Sequence, residues 1–277
     1  MKHLQGKFSG YGNLDIHYQC WLPAGKPKAL LVVVHGLAEH SGRYAGLARY
    51  FTARDYAVYS FDHRGHGKSE GQQGHVERFR HYLNDLNTFL KTVPDNNHNA
   101  RVFLIGHSMG GMIAAIYAIH HQQEFAGLVL SGATISLASN PSLMITAAAN
   151  LLSLLSPKTG VTLIDASAIS RDTTVVDSYV NDPLVYRGKI SARLGTELMK
   201  MIRKLPQQMP EINLPALIMH GTADRLSDPK GSEMLHQRIS SRDKTLTLYD
   251  GFYHEIFNEP GHEQVFADIE NWLAARL

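Results

Sequence analysis

The chain has 277 residues, 44% of them hydrophobic and 19% charged, with a formal net charge of +2. That suits one large globular domain, or a domain with an insertion, with enough chain to bury a sizeable core. The charge is too small to make nucleic acid the main partner, and the single cysteine, Cys20, excludes an internal disulfide and a cysteine-rich metal site.

The opening stretch, MKHLQGKFSGYGNLDIHYQ, lacks the apolar centre of a secretory leader. Nowhere is there an apolar run of the roughly 18 residues that a membrane span needs. The expectation is a cytoplasmic protein, with contact at the inner membrane face as the only membrane association. The first clear strand is Ala29 to His35, β-branched and bounded by Pro27 and Gly36. Apolar residues at helical spacing follow from Tyr44 to Tyr50, then a strand from Tyr56 to Phe61. Asp62 to His75 is polar and glycine-rich, a long loop. It lacks G-x-x-x-x-G-K-[ST], so it is no phosphate-binding loop, and Arg64, Gly65 and Gly67 are expected to brace the sheet top. Phe79 to Val93 reads as a helix, Val102 to Ile105 as a strand, Met109 to His121 as a helix and Phe125 to Leu130 as a strand.

From about Thr134 to Pro210 the rhythm breaks, with no convincing strand. It resumes with a strand at Ala216 to Met219, a helix near Lys230 to Ile239, a strand at Thr245 to Tyr249 and a helix from Gln264 to Leu277. Alternating strands and helices predict an α/β protein with a mostly parallel sheet covered on both faces. The predicted core is residues 1–133 and 211–277, and residues 134–210 are a helical insertion.

At Gly106-His107-Ser108-Met109-Gly110 a strand gives way to a helix through G-x-S-x-G, the pattern of a nucleophile elbow. Small neighbours let the two backbones pass closely, and the serine is presented at the carboxyl edge of the sheet. A serine hydroxyl needs a base, and the base needs an orienting carboxylate, in the chain order Ser, Asp/Glu, His. Asp224 and His254 each lie just beyond a strand end in that order. Competitors are Asp228, which could instead cap the helix starting near Pro229, Asp250, which suits a turn, and His262, which suits the start of the last helix. The N–H groups of Met109 and of Leu37, in the loop after the first clear strand, are the candidate oxyanion donors.

HGLAEHSGRY (35–44), FDHRGHGKSEG (61–71), GHSMGG (106–111), NDPL (181–184), GTADRLSDPKGS (221–232) and YHEIFNE (253–259) together resemble the monoacylglycerol lipase family of the α/β-hydrolase superfamily, related to the serine aminopeptidase S33 and lysophospholipase-like hydrolases. The likeness runs over nearly the whole chain. It implies an eight-stranded core with a helical cap inserted after the sixth strand, and hydrolysis of monoacylglycerol to fatty acid and glycerol without metal or cofactor. It also implies Ser108, Asp224 and His254 as triad and Leu37 and Met109 as oxyanion donors. Glu39, Arg43 and His107 would support the oxyanion loop or the substrate, and Tyr179 would lie near the glycerol end. A buried structural ion pair is the plainer reading of Glu39 and Arg43. The chain departs from the animal members at Phe257, where a histidine is usual, and at Ser227, where a cysteine is usual. Both positions are expected at the glycerol pocket or its rim.

Ser142 to Ser156 is apolar around much of its circumference, with Leu143, Met144, Ile145, Leu151, Leu152, Leu154 and Leu155. It suits a helix packed on the core, a lid lining an acyl tunnel and touching a bilayer or micelle, or both. Arg171 is its one nearby arginine in sequence, so membrane contact is expected to be weak and driven by apolar area. The alternatives are a broader carboxylesterase or lysophospholipase with the same machinery and, outside enzymes, a ligand receptor on a hydrolase scaffold.

Overall fold

The computed structural model describes residues 1–93, 100–138 and 142–277. Strands β1 (Lys2–Ser9) and β2 (Asp15–Leu22) open the chain as an antiparallel hairpin. Next come β3 (Ala29–Val34), α1 (Ala45–Thr52), β4 (Tyr56–Phe61), α2 (Arg80–Thr92), β5 (Arg101–His107), α3 (Met109–His121) and β6 (Gly127–Ser131). After β6 lie α4 (Leu143–Leu155), β7 (Gly160–Thr162), α5 (Thr173–Asn181), β8 (Ile190–Ser191) and α6 (Ala192–Gln208). The chain ends with β9 (Ala216–Gly221), α7 (Pro229–Arg238), β10 (Lys244–Tyr249) and α8 (His262–Ala274).

Eight strands form one sheet in the order β1-β2-β4-β3-β5-β6-β9-β10. From β4 to β10 the pairing is parallel, and β2 meets β4 antiparallel. In β3, Leu30, Val32 and Val34 enter the core on one face, while Ala29, Leu31 and Val33 enter a second core on the other. Period-2 geometry makes a continuous apolar run the signature of a strand covered on both sides. The first core takes in α2 and α3 and reaches Leu194 and Leu205 of α6; the second takes in α1 and α8.

The hairpin was not among the elements expected from periodicity. In β1 only Phe8 is fully buried, because an edge strand needs main-chain pairing rather than an apolar face. Its turn was readable: Gly12 and Asn13 both have positive φ, the conformation these residues favour. The insertion also holds a strand pair that was not expected, β7 with β8. Two and three residues are too few to show a period.

Candidate active site

Ser108 is the residue between β5 and α3, and its backbone is strained, at φ 53° and ψ −121°. Such a conformation costs on the order of 1–3 kcal/mol and persists only where its surroundings over-determine it. The strand and helix cross so closely that a Cβ on Gly106 would sit 2.5 Å from the Gly110 carbonyl oxygen, and one on Gly110 would strike the carbonyls of Val34 and His35. The Ser108 N–H donates to the Ser131 carbonyl at 3.0 Å and its own carbonyl accepts from the Thr134 N–H at 3.1 Å, fixing the turn against β6.

Across the sheet edge, β9 ends in the turn that carries Asp224, and the loop after β10 carries His254. Ser108 Oγ lies 2.8 Å from His254 Nε2, and His254 Nδ1 lies 2.6 Å from Asp224 Oδ2. Asp224 is tied further: His220 Nε2 is 3.0 Å from Oδ2, and the N–H groups of Leu226 and Ser227 donate to Oδ1 at 2.7 and 3.0 Å. Burial disfavours the Asp224 charge, but the facing His254 and the hydrogen bonds from both histidines outweigh it and hold the carboxyl below its usual range. Burial likewise disfavours imidazolium at His254; Asp224, with Glu255 and Glu39 behind it, outweighs that and raises the pKa. His107 is pushed well down by burial and by His254, whose ring centroid is 4.8 Å away, so it stays neutral.

The loop after β3 faces the same serine. The Gly36 N–H donates to Glu39 Oε1 at 2.6 Å, and the Tyr44 hydroxyl donates to that oxygen at 2.8 Å. Arg43 Nη2 donates to Glu255 Oε2 at 2.5 Å, its Nε is 3.3 Å from Glu39 Oε2, and its guanidinium stacks 4.8 Å over the Tyr179 ring. The network leaves Leu37 on the cavity wall and Ala38 at φ 69°. Met109, as the first residue of α3, has no intrahelical acceptor for its N–H.

These groups open on a cavity of about 740 Å³. Its polar end carries Glu39, His107, Glu255 and Tyr179, and its apolar wall includes Ile145, Leu198, Met199 and Ile202 from α4 and α6. Volume and lining are those of a small-molecule site, an apolar channel with a few convergent polar groups. Among the described residues, no group of three or more His, Cys, Asp or Glu side chains is arranged to hold a metal ion.

The competitors lie elsewhere. Asp228 caps α7 by accepting from the Lys230 N–H, Asp250 accepts from the Thr222 hydroxyl, and His262 is the first residue of α8. Ser227 does stand on the cavity wall. Phe257 does not: it is buried among Tyr44, His107 and Phe266. Arg64 binds Asp85 at 2.6 Å and the Tyr11 carbonyl at 2.8 Å, tying the long loop to the hairpin and α2.

Reasoning from sequence missed three polar groups. His220, fully buried, is a second partner of Asp224 and is itself held by Ser232 at 2.7 Å. Thr134 Oγ1 is 3.3 Å from Ser108 Oγ and 3.2 Å from Ser227 Oγ. Glu255 pairs with Arg43. His220 adjoins one quoted motif and Glu255 lies within another, so both could have been found there. Thr134 lies past the end of β6 with nothing local to mark it.

The family model described as serine aminopeptidase, S33, matches residues 25–261. The monoacylglycerol lipase of Mycolicibacterium smegmatis is 36% identical over 98% of this chain and 96% of its own. The human monoglyceride lipase is 38% identical over 92% of this chain and 86% of its own. Among solved structures, a soluble variant of the Saccharomyces cerevisiae monoglyceride lipase in complex with a substrate analogue superposes with a TM-score of 0.88 at 28% identity, covering 98% of this chain and 94% of that one. With this sheet order and with matches of this extent, the chain belongs to the monoacylglycerol lipase family, within the serine aminopeptidase S33 group of α/β-hydrolases.

Proposed function

We propose that the chain hydrolyses long-chain monoacylglycerol to a fatty acid and glycerol through an acyl-enzyme on Ser108. The observation that carries this is Ser108 Oγ within 2.8 Å of His254 Nε2, beside a cavity of about 740 Å³ with an apolar wall. Ser108 Oγ attacks the ester carbonyl while His254 Nε2 takes its proton. Asp224 holds the ring tautomer with Nδ1–H toward itself and stabilises the imidazolium. The N–H groups of Leu37 and Met109 receive the developing oxyanion. His254 then gives the proton to the departing glycerol oxygen. Water, deprotonated by the same nitrogen, attacks the ester on Ser108 and releases the fatty acid. Glu39 is buried and the Arg43 side chain beside it is only 9% exposed, which supports the loop-bracing role for this pair, and the stacking of Tyr179 on Arg43 at the cavity wall supports a place for it near the glycerol.

Residues 134–210 act as the cap over this site. Most of α4's outer face is apolar and exposed: Met144 is 83%, Leu154 72% and Leu155 74% accessible. No described helix is long and apolar enough to cross a membrane. That face supports peripheral contact with a lipid surface. The Leu143 side chain lies outside the described residues.

The test is oleate release from 1-oleoylglycerol beside oleate release from dioleoylglycerol, trioleoylglycerol and oleoyl-lysophosphatidylcholine, with Ser108→Ala as control. The expected result is fast turnover of the monoacylglycerol alone, abolished by Ser108→Ala. Equal turnover of all four substrates would reduce the assignment to a general esterase.

A further inference from the structure

The chain brings to α4 a partner that its own neighbourhood in sequence lacks. Arg171, its one nearby arginine in sequence, is engaged with Glu259 and the Phe252 ring. It is α6, antiparallel beside α4, that supplies charge. Arg203 Nη2 reaches Thr146 Oγ1 at 3.4 Å, and Thr196 Oγ1 donates to Ser153 Oγ at 2.9 Å. Between the two helices runs an open groove of about 670 Å³, with Leu154 on one wall and Lys200, Arg203 and Lys204 on the other. All three cations are exposed, and the nearest acid, Glu197, already accepts from the Phe79 N–H and stands 3.8 Å from Lys200. No residue of α4 is charged.

We propose that this paired surface docks on anionic lipid, with α4 entering the apolar layer and the α6 cations meeting the headgroup phosphates. It rests on the reading of α4 as a lipid-facing helix and adds the headgroup charge. An apolar face alone would settle on any lipid surface; a row of cations beside it adds attraction only where the surface is negative. A protein partner would have to match a charge-free helix and a cationic one across an open groove, whereas an anionic bilayer presents both chemistries in layers. Each Lys or Arg near such a surface is worth about fivefold in partitioning, so the three together give on the order of a hundredfold preference. That preference falls with salt, since charges at an exposed surface are screened within a Debye length of about 8 Å at physiological ionic strength.

The experiment is co-sedimentation of the full chain with vesicles of phosphatidylcholine alone and of phosphatidylcholine mixed with phosphatidylglycerol, at low and high salt. The unaltered chain should favour the mixed vesicles strongly, and salt should remove the preference. Lys200→Gln/Arg203→Gln/Lys204→Gln should bind both compositions equally, while hydrolysis of a short water-soluble ester stays unchanged. Leu154→Ser/Leu155→Ser should weaken binding to both. If the unaltered chain binds both compositions equally and the leucine variant loses both, the charge preference is overturned and the lipid-facing helix stands. If it binds neither, both are overturned. A dimer in sedimentation that the leucine variant dissolves would then make a second copy of the chain the occupant.

Discussion

The elbow and the cap face the same cavity and are built in opposite ways. Around Ser108, every functional atom is held by directed contacts: Asp224 alone faces two histidine nitrogens and two backbone N–H groups within 3.0 Å. Along α4 the directed side-chain contacts are those of Thr146 with Arg203 and Ser153 with Thr196, and the rest is apolar area, much of it exposed. Hydrogen bonds fix position, whereas apolar burial fixes affinity and tolerates change of shape. Chemistry should therefore fail abruptly when one atom is changed at the first site. Chain-length preference and docking should change gradually at the second.

The sharpest break is expected at Asp224. Asp224→Asn keeps the side chain's shape but gives His254 Nδ1 a partner that can impose the wrong tautomer. Turnover should drop by about 10⁴-fold while substrate affinity barely changes. The check is kcat and KM on one soluble ester, with circular dichroism to show the fold intact. A loss of less than about tenfold would mean that the imidazole is oriented by something else.

At the cap the expected loss is smaller and depends on substrate. Gly195 of α6 lines the cavity, and a Cβ there would meet only Val161, 4.0 Å away. Gly195→Leu should therefore fold and fill part of the acyl channel. One added group in an apolar pocket is worth roughly 10–200-fold in kcat/KM. Long acyl esters should lose about that much and short ones nothing. Equal losses on both would place the acyl chain elsewhere.

The same contrast explains what could be read from sequence. Buried strands such as β3 announce themselves because both faces are apolar, and Ser108, Asp224 and His254 because each sits at a strand end within a local motif. Groups recruited from a distance did not. Thr134 reaches Ser108 only because β6 lies beside β5 in the sheet. Lys200, Arg203 and Lys204 border α4 only because α6 returns antiparallel to it, some fifty residues later. Contacts made by topology rather than spacing leave no periodic trace.

Thr134 tests that lesson with a moderate effect. Thr134→Val keeps volume and removes the hydroxyl beside the nucleophile. A neutral hydrogen bond is worth about 0.5–1.5 kcal/mol, so a fall of roughly two- to tenfold in kcat is expected, with KM steady. Unchanged kcat would make the Thr134–Ser227 pair only a wall of the cavity.

The smallest effect expected is on pH dependence. His254 must be neutral to take the Ser108 proton, so activity is lost as pH falls through its pKa. That pKa is raised from the usual 6.5, since Asp224, Glu255 and Glu39 outweigh the opposing burial. The acid limb of kcat/KM should therefore lie above pH 6.5. Glu255→Gln removes one of the negative charges and leaves Arg43 paired with Glu39. With less to stabilise the imidazolium, His254 loses its proton at lower pH, and the acid limb should move down while the plateau rate changes little. A limb that stays in place would show that the carboxylates behind the oxyanion loop brace its backbone without being felt at the base.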